Sequence, residues 1–194
     1  MTTIGLLRHG EVEGGNCFRG STDDPLTDIG LNQMRIATRG KHQWDRVISS
    51  PLKRCVSFAR EYSLQHSIPL AFDERLKELH FGLWEGRTSA EIMNEDPEAL
   101  SQFWSDPDRY PPPEGESFLV FQARVLEACN SIKNDYNKQR TLIVTHGGVI
   151  RTLLCHLQQR PVSELMNIDV KLGSLTVLCS SLNAPELVNS RLEI

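Results

Sequence analysis

Three stretches of this sequence place anion-binding groups directly after short apolar runs. Ile4 to Leu7 leads into Arg8-His9-Gly10. Arg46-Val47-Ile48 leads into Ser49-Ser50, with Arg54 one turn into the segment that follows. Thr141-Leu142-Ile143-Val144-Thr145 leads into His146-Gly147-Gly148. Short apolar runs of this kind read as buried strands, and open α/β sheets bind ligands beyond the carboxyl ends of their strands. In a parallel sheet the three ends would share one edge. Arginine's planar fork suits phosphate oxygens and keeps its charge at any working pH. Glycine lets backbone approach closely and frees φ, so amide N–H groups can turn towards the same ligand. A helix starting behind His146 adds unpaired N–H groups and a partial positive charge. Two arginines, two histidines and backbone amides converging on one crevice describe a phosphate pocket.

The elements that must position these groups follow in order. After the first strand, a glycine-rich stretch from Gly10 to Pro25 has no period and reads as a loop, of a length that is usually functional. Thr27 reads as an N-cap with Asp28 in the first turn. Leu31, Met34 and Thr38 carry a helix to about Lys41. Arg46 to Ser49 reads as the second strand. Pro51 suits the first turn of a helix that runs through Cys55, Phe58 and Tyr62 to about His66, and a third strand covers Pro69 to Phe72. The alternation predicts a mostly parallel sheet with helices on both faces, a three-layer α/β/α sandwich.

Residues 73–116 are expected to form a lid or insertion over the site within a single domain. That block holds short helical patterns at Ser89–Asp96 and Ala99–Ser105, interrupted by Pro97, and a stiff connector at Pro107 and Pro111-Pro112-Pro113. Ser117 caps a long helix whose stripe is Phe118, Phe121, Val125, Ala128 and Ile132, ending near Tyr136. Val149 to Gln158 reads as a helix broken by Pro161. Leu175 to Cys179 and Glu186 to Val188 are the last strand candidates.

Composition bounds the function. At 194 residues with 39% hydrophobic and 24% charged residues, the chain reads as an ordinary soluble domain. A net charge of −4 gives no global positive field for nucleic acid, so anion binding must be local. No apolar run approaches a membrane span, and the N-terminus carries no signal-peptide pattern. A cytoplasmic protein without membrane or nucleic-acid partners is expected. Five scattered cysteines with no C-x-x-C pair, and histidines with no metal spacing, argue against a disulfide framework or a metal site. Neither metal nor cofactor is expected. His42, His66 and His156 carry no functional signal.

Arg8-His9-Gly10-Glu11 resembles the R-H-G-E signature of the histidine phosphatase superfamily, which includes the phosphoglycerate mutases. Further blocks resemble that family in order: Phe18-Arg19-Gly20-Ser21-Thr22-Asp23, Pro25 to Gly30, Ser49-Ser50-Pro51-Leu52-Lys53-Arg54, Glu78 to Gly86, Pro113-Glu114-Gly115-Glu116-Ser117, and Val144-Thr145-His146-Gly147-Gly148. The resemblance implies the phosphoglycerate mutase-like α/β fold and metal-free phosphoryl transfer. His9 would attack phosphorus and form a phosphohistidine, its other ring nitrogen held by a backbone carbonyl. Arg8, Arg54 and His146 would hold the phosphoryl oxygens. Glu78 would protonate the leaving oxygen and then take a proton from water. Family order favours Glu78 over Glu85, which is left to loop structure. Gly20 and Gly147 belong to the substrate-binding set, together with Asn16 and Arg19. Asn16 is displaced from the family's asparagine by a residue gained in the loop, and Arg19 is open between phosphate, the rest of the substrate and the surface. His80 and Trp84 are open between shaping the pocket and packing.

The modest middle block favours hydrolysis over transfer, because passing phosphate to a second substrate requires excluding water. A small phosphate monoester is the expected partner. Length, block spacing and the closing Leu187-Val188-Asn189-Ser190-Arg191 are similar to the α-ribazole-5′-phosphate phosphatases of cobalamin assembly. The alternatives are a broad-specificity or sugar-phosphate phosphatase, a mutase-type phosphotransferase, and a non-catalytic phospho-ligand binding module.

Overall fold

The computed structural model of the chain describes residues 2–40 and 43–180. The expected helix end at Lys41, His42, the strand at 186–188 and the closing 187–191 segment lie outside these residues. Among the described residues, five strands form one sheet in the order β3-β2-β4-β1-β5. They are β1 (Thr2–Arg8), β2 (Arg46–Ser49), β3 (Leu70–Phe72), β4 (Arg140–Thr145) and β5 (Leu175–Ser180). β1 to β4 are parallel and β5 runs antiparallel to β1.

The strands alternate their side chains between two apolar layers. Leu7, Val47, Leu142 and Val144 face Met34 of α1 (Asp28–Thr38) and Cys55, Phe58 and Tyr62 of α2 (Lys53–His66). Ile4, Leu6, Ile48 and Ile143 face the other side. There they meet Phe121, Val125 and Ala128 of α5 (Phe118–Asp135) and Val149, Ile150 and Leu153 of α6 (Gly147–Leu157). This is the three-layer α/β/α arrangement that the alternation of elements predicts. The segment 73–116 carries α3 (Ser89–Glu95) and α4 (Pro97–Ser105). Its Leu76, Leu79, Trp84, Ile92, Leu100 and Phe103 are buried in the same layer as α5 and α6. None of the described helices is long and apolar enough to cross a membrane.

Local chemistry explains most boundaries. Thr27 Oγ accepts from Gly30 N–H at 3.0 Å and starts α1. Ser117 Oγ accepts from Val120 N–H and starts α5. Pro97 does not interrupt a helix but opens α4 at its first turn, with Asp96 capping Ala99 N–H at 3.0 Å. Pro51 stands outside α2, because Ser49-Ser50 is still engaged with the sheet. The helix begins at Lys53, whose N–H is capped at 2.6 Å by Asp23, thirty residues upstream. α6 begins two residues earlier than its apolar period, with Gly147 at its first position and His146 as the residue before it.

The loop leaving β1 lies directly on α1. A Cβ at Gly10 would stand 2.0 Å from Gly30 O, and one at Gly30 would stand 2.0 Å from Glu11 O. Gly10 therefore serves close approach, and it is not among the positive-φ glycines. Gly30→Ala is expected to destabilise the fold by about 1–3 kcal/mol, as overpacking against rigid backbone does. Urea unfolding reads this, and an unchanged midpoint would mean the loop is free to move off the helix.

Candidate active site

Sheet register brings the three strand ends together. Arg8 pairs with Thr145, and Ser49 pairs with Val144. The next residue of each strand still bonds its neighbour: His9 N–H to Thr145 O at 2.9 Å and Ser50 N–H to Val144 O at 2.9 Å. His9, Ser50 and His146 thus leave the sheet side by side. The rings of His9 and His146 lie 5.3 Å apart, edge to face.

His9 is 8% exposed and its Nδ1 is 2.8 Å from Gly10 O. A carbonyl only accepts, so Nδ1 carries the hydrogen and Nε2 keeps its lone pair. Burial first, and then the positive charges of Arg54, Arg8 and Arg19, bring the pKa of His9 down to about 3 despite the bond to Gly10. The ring is neutral and nucleophilic across the physiological range. His146 is fully buried, and burial with the nearby Arg54 holds its pKa well below the ordinary value. Arg54 Nε donates to its Nδ1 at 3.2 Å. The hydrogen of His146 is therefore on Nε2, which donates to Ser50 Oγ at 2.7 Å.

Arg54 is 0% exposed. Three of its four other N–H groups reach Thr22 O at 2.6 Å, Gly20 O at 2.8 Å and Arg19 O at 3.1 Å. The same loop presents its N–H groups to Glu85, which accepts from Gly20, Ser21 and Thr22 and also from Phe81 N–H at 3.0 Å. Burial alone would raise the pKa of Glu85, but the Thr22 hydroxyl, which also donates to it, and these backbone donors together lower it. Arg19 holds the loop's other limb, donating to Asp24 at 2.6 Å, Glu13 O at 2.9 Å and Gly15 O at 3.1 Å. It is not a free surface arginine. Gly20 has no room for a side chain, since a Cβ would stand 2.0 Å from Leu79 O.

Glu78 lies across from these groups. Its carboxylate accepts from Gly148 N–H at 2.9 Å, in the first turn of α6, and from Leu79 N–H at 3.1 Å. A cavity of about 800 Å3 opens here. Arg8, His9, Asn16, Arg19 and Glu78 line it, and Phe81, Phe103, Phe118, Phe121, Leu165 and Met166 form its apolar wall. Asn16 is exposed. Gly20, Arg54, His146 and Gly147 do not line the cavity. Arg8 donates Nη1 to Val170 O at 2.6 Å, while its Nε is buried with no partner among the described residues. Among the described residues, no cluster of His, Cys, Asp or Glu is disposed to hold a metal ion. Trp84 is buried against Phe18 and Phe103, and His80 exchanges backbone hydrogen bonds with Glu116.

Sequence reasoning missed two arginines. Arg151 lines the cavity, with its Nε donating to Ile168 O at 2.9 Å and no carboxylate paired with it among the described residues. A Cβ at Gly147 would stand 3.1 Å from both Arg151 Nη1 and Arg8 Nε, so a side chain there would press on the two guanidiniums that flank the start of α6. The signal available was spacing, four residues on from Gly147 along one helix face. Arg124, on α5, bonds the backbone that carries Glu78. Nothing near it in sequence points to that role.

With this geometry in place, comparison with known proteins is direct. A sequence profile described as Histidine phosphatase superfamily (branch 1) matches residues 4–192. The adenosylcobalamin/alpha-ribazole phosphatase of Salmonella typhimurium is 31% identical over 192 residues, 96% of this chain and 95% of that protein. A putative phosphoserine phosphatase 2 of Hydrogenobacter thermophilus is 31% identical over 180 residues, 91% of this chain and 88% of that one. The solved structure of Bacillus stearothermophilus YhfR superposes with a TM-score of 0.85 at 35% identity, covering 93% of this chain and 92% of that one.

The suppressed pKa of His9 has two observable results. Its ring resonances should show no titration midpoint between about pH 5 and 8 by NMR; a midpoint near the ordinary 6.5 would contradict the burial described. Between 6.5 and about 3 the unfolded chain takes up a proton that the folded ring refuses. Its contribution to folding stability is therefore constant above that window and falls as the pH drops through it, which urea midpoints measure.

Proposed function

This chain belongs to branch 1 of the histidine phosphatase superfamily and is a phosphoric monoester hydrolase, and we propose that it works without a metal through a phosphohistidine on His9. The observation that carries this reading is the cavity-lining His9, neutral, with Nδ1–H on Gly10 O and the Nε2 lone pair free. Nε2 attacks phosphorus in line, the bond to the ester oxygen breaks, and Glu78 gives that oxygen its proton. Water then attacks phosphorus, Glu78 takes its proton, the nitrogen–phosphorus bond breaks, and phosphate leaves. Arg8, with its unpaired Nε, meets the negative charge that spreads over the phosphoryl oxygens, while Arg54 and His146, set beside His9 but off the cavity lining, would reach those oxygens by exchanging present bonds for the substrate's. Gly20 and Gly147 shape that site by leaving room for backbone and guanidinium. Asn16 and Arg19 meet the substrate from the loop side. Glu85 is committed to backbone N–H groups, which supports Glu78 as the proton donor. Residues 73–116 act as the cover of a single catalytic domain, and the protein works in the cytoplasm.

For the substrate we take α-ribazole 5′-phosphate. The Salmonella typhimurium relative matches over nearly the full length of both chains. The apolar wall of the cavity suits a leaving group with a flat aromatic base. Arg151 supports a second reading, a phosphorylated acid such as phosphoserine, because a guanidinium on the cavity wall with no carboxylate of its own suits a carboxylate on the leaving group.

His9→Ala should lower phosphate release at least about a thousandfold, and a rapid alkaline quench with labelled substrate, which preserves the acid-labile nitrogen–phosphorus bond, should trap a phosphoenzyme in the wild type and none in the variant; near-normal turnover would end the reading. The ratio of kcat/KM for α-ribazole 5′-phosphate to that for phosphoserine decides the substrate. Under the first reading it exceeds about tenfold and Arg151→Met leaves it unchanged, whereas under the second phosphoserine leads and Arg151→Met removes about 1–3 kcal/mol of its advantage.

A further inference from the structure

Glu78 is gripped from both ends. Its carboxylate rests on Gly148 and Leu79 N–H groups, while its backbone belongs to a strap whose carbonyls are all spoken for. Arg124 Nη1 donates to Arg75 O at 2.8 Å and Lys77 O at 2.7 Å, and Nη2 donates to Glu78 O at 2.9 Å. The carbonyl between them, Leu76 O, accepts from Thr145 Oγ at 2.9 Å. Arg124 spends its other two N–H groups on Glu116, Nε to Oε1 at 2.7 Å and Nη2 to Oε2 at 2.8 Å. Glu116 in turn holds the far side of the strap: its N–H donates to His80 O at 2.9 Å, and His80 N–H donates to its Oε2 at 3.4 Å.

A guanidinium has five N–H donors in a fixed plane, and here each has an acceptor. Three of the five lie on residues 75 to 78, the stretch that ends in the proton donor. Both partners are sheltered, Arg124 at 20% and Glu116 at 15% side-chain exposure, so the pair is stiffer than a surface ion pair. From this we infer that Arg124, oriented by Glu116, is the positioning residue for Glu78, fixing the distance from the proton donor to the ester oxygen above His9. The inference rests on the reading of Glu78 as proton donor. Arg124 touches no reacting atom; it acts through the backbone that carries the acid. Lysine cannot replace it, because three donors on a compact ammonium cannot serve three carbonyls and a bidentate carboxylate together.

A general acid matters most when the leaving oxygen is strongly basic, and a misplacement of about 1 Å costs on the order of a hundredfold. The test compares an alkyl phosphate with p-nitrophenyl phosphate, whose leaving group needs little protonation, for wild type, Glu78→Gln, Arg124→Lys and Glu116→Gln. Arg124→Lys and Glu116→Gln should lower kcat/KM, which reports formation of the phosphoenzyme and not its hydrolysis, about ten- to a hundredfold on the alkyl ester. On the aryl ester the loss in kcat/KM should be small. Each of the two, combined with Glu78→Gln, should be no slower than Glu78→Gln alone. Glu116→Gln keeps the shape of the mount, so it remains informative if Arg124→Lys folds poorly. Equal losses on both esters, or losses that add to that of Glu78→Gln, would overturn the positioning role and leave a structural one. If Glu78→Gln itself fell equally on both esters, the proton-donor reading would fail and take this inference with it.

Discussion

The site is built around a cation and an anion that never touch. Arg54 faces the carbonyl side of residues 19 to 22, and Glu85 faces the N–H side of residues 20 to 22. Two peptide units, 19–20 and 20–21, stand between them with oxygen to the guanidinium and hydrogen to the carboxylate. A fully buried guanidinium with no carboxylate in contact would be costly. Here the intervening peptides offset that cost, and Glu85 keeps them from turning away. The fixed charge beside the two imidazoles therefore depends on a short loop, and the loop depends on a carboxylate sixty-five residues from Gly20.

The same burial sets the protonation of both histidines. His9 and His146 sit 5.3 Å apart amid arginines, where two imidazolium ions could not coexist, and desolvation is the largest cause of each shift. Their neutral tautomers then follow from partners that can only accept, at Gly10 O, or only donate, at Arg54 Nε. A neutral imidazole surrounded by positive charge is a weak base, and the arginines around it draw a dianion to its free nitrogen. That combination suits phosphoryl transfer better than proton abstraction.

What could be read from the sequence was whatever its own neighbourhood determines. The apolar runs of β1, β2 and β4, the caps Thr27 and Ser117, and the stripe of α5 are local signals, and each stands where it was expected. The strand-end residues followed from them because parallel register does the rest. Boundaries set by distant residues were not legible: α2 starts at Lys53 because Asp23 caps it, and α6 starts at Gly147 rather than Val149, with Glu78 bonded to its first turn. Arg124 and Arg151 were hard to read for the same reason, since the partners that give them their place are mainly distant carbonyls, and a carbonyl leaves no mark on the amino-acid code. Pro97 was misread because a proline that opens a helix and one that breaks a helix look alike until the cap before it is seen in place.

The strand order also bears on how the protein is made. β1 leaves the ribosome before the other described elements, yet its two neighbours in the sheet, β4 and β5, begin at Arg140 and Leu175. Until β4 has emerged, Thr2–Arg8 has neither of its partners in the sheet. Pairings of such long sequence separation are slow and leave strand edges open in the meantime. Nascent chains are therefore most exposed to aggregation, and most in need of chaperone shelter, during synthesis of the stretch before β4.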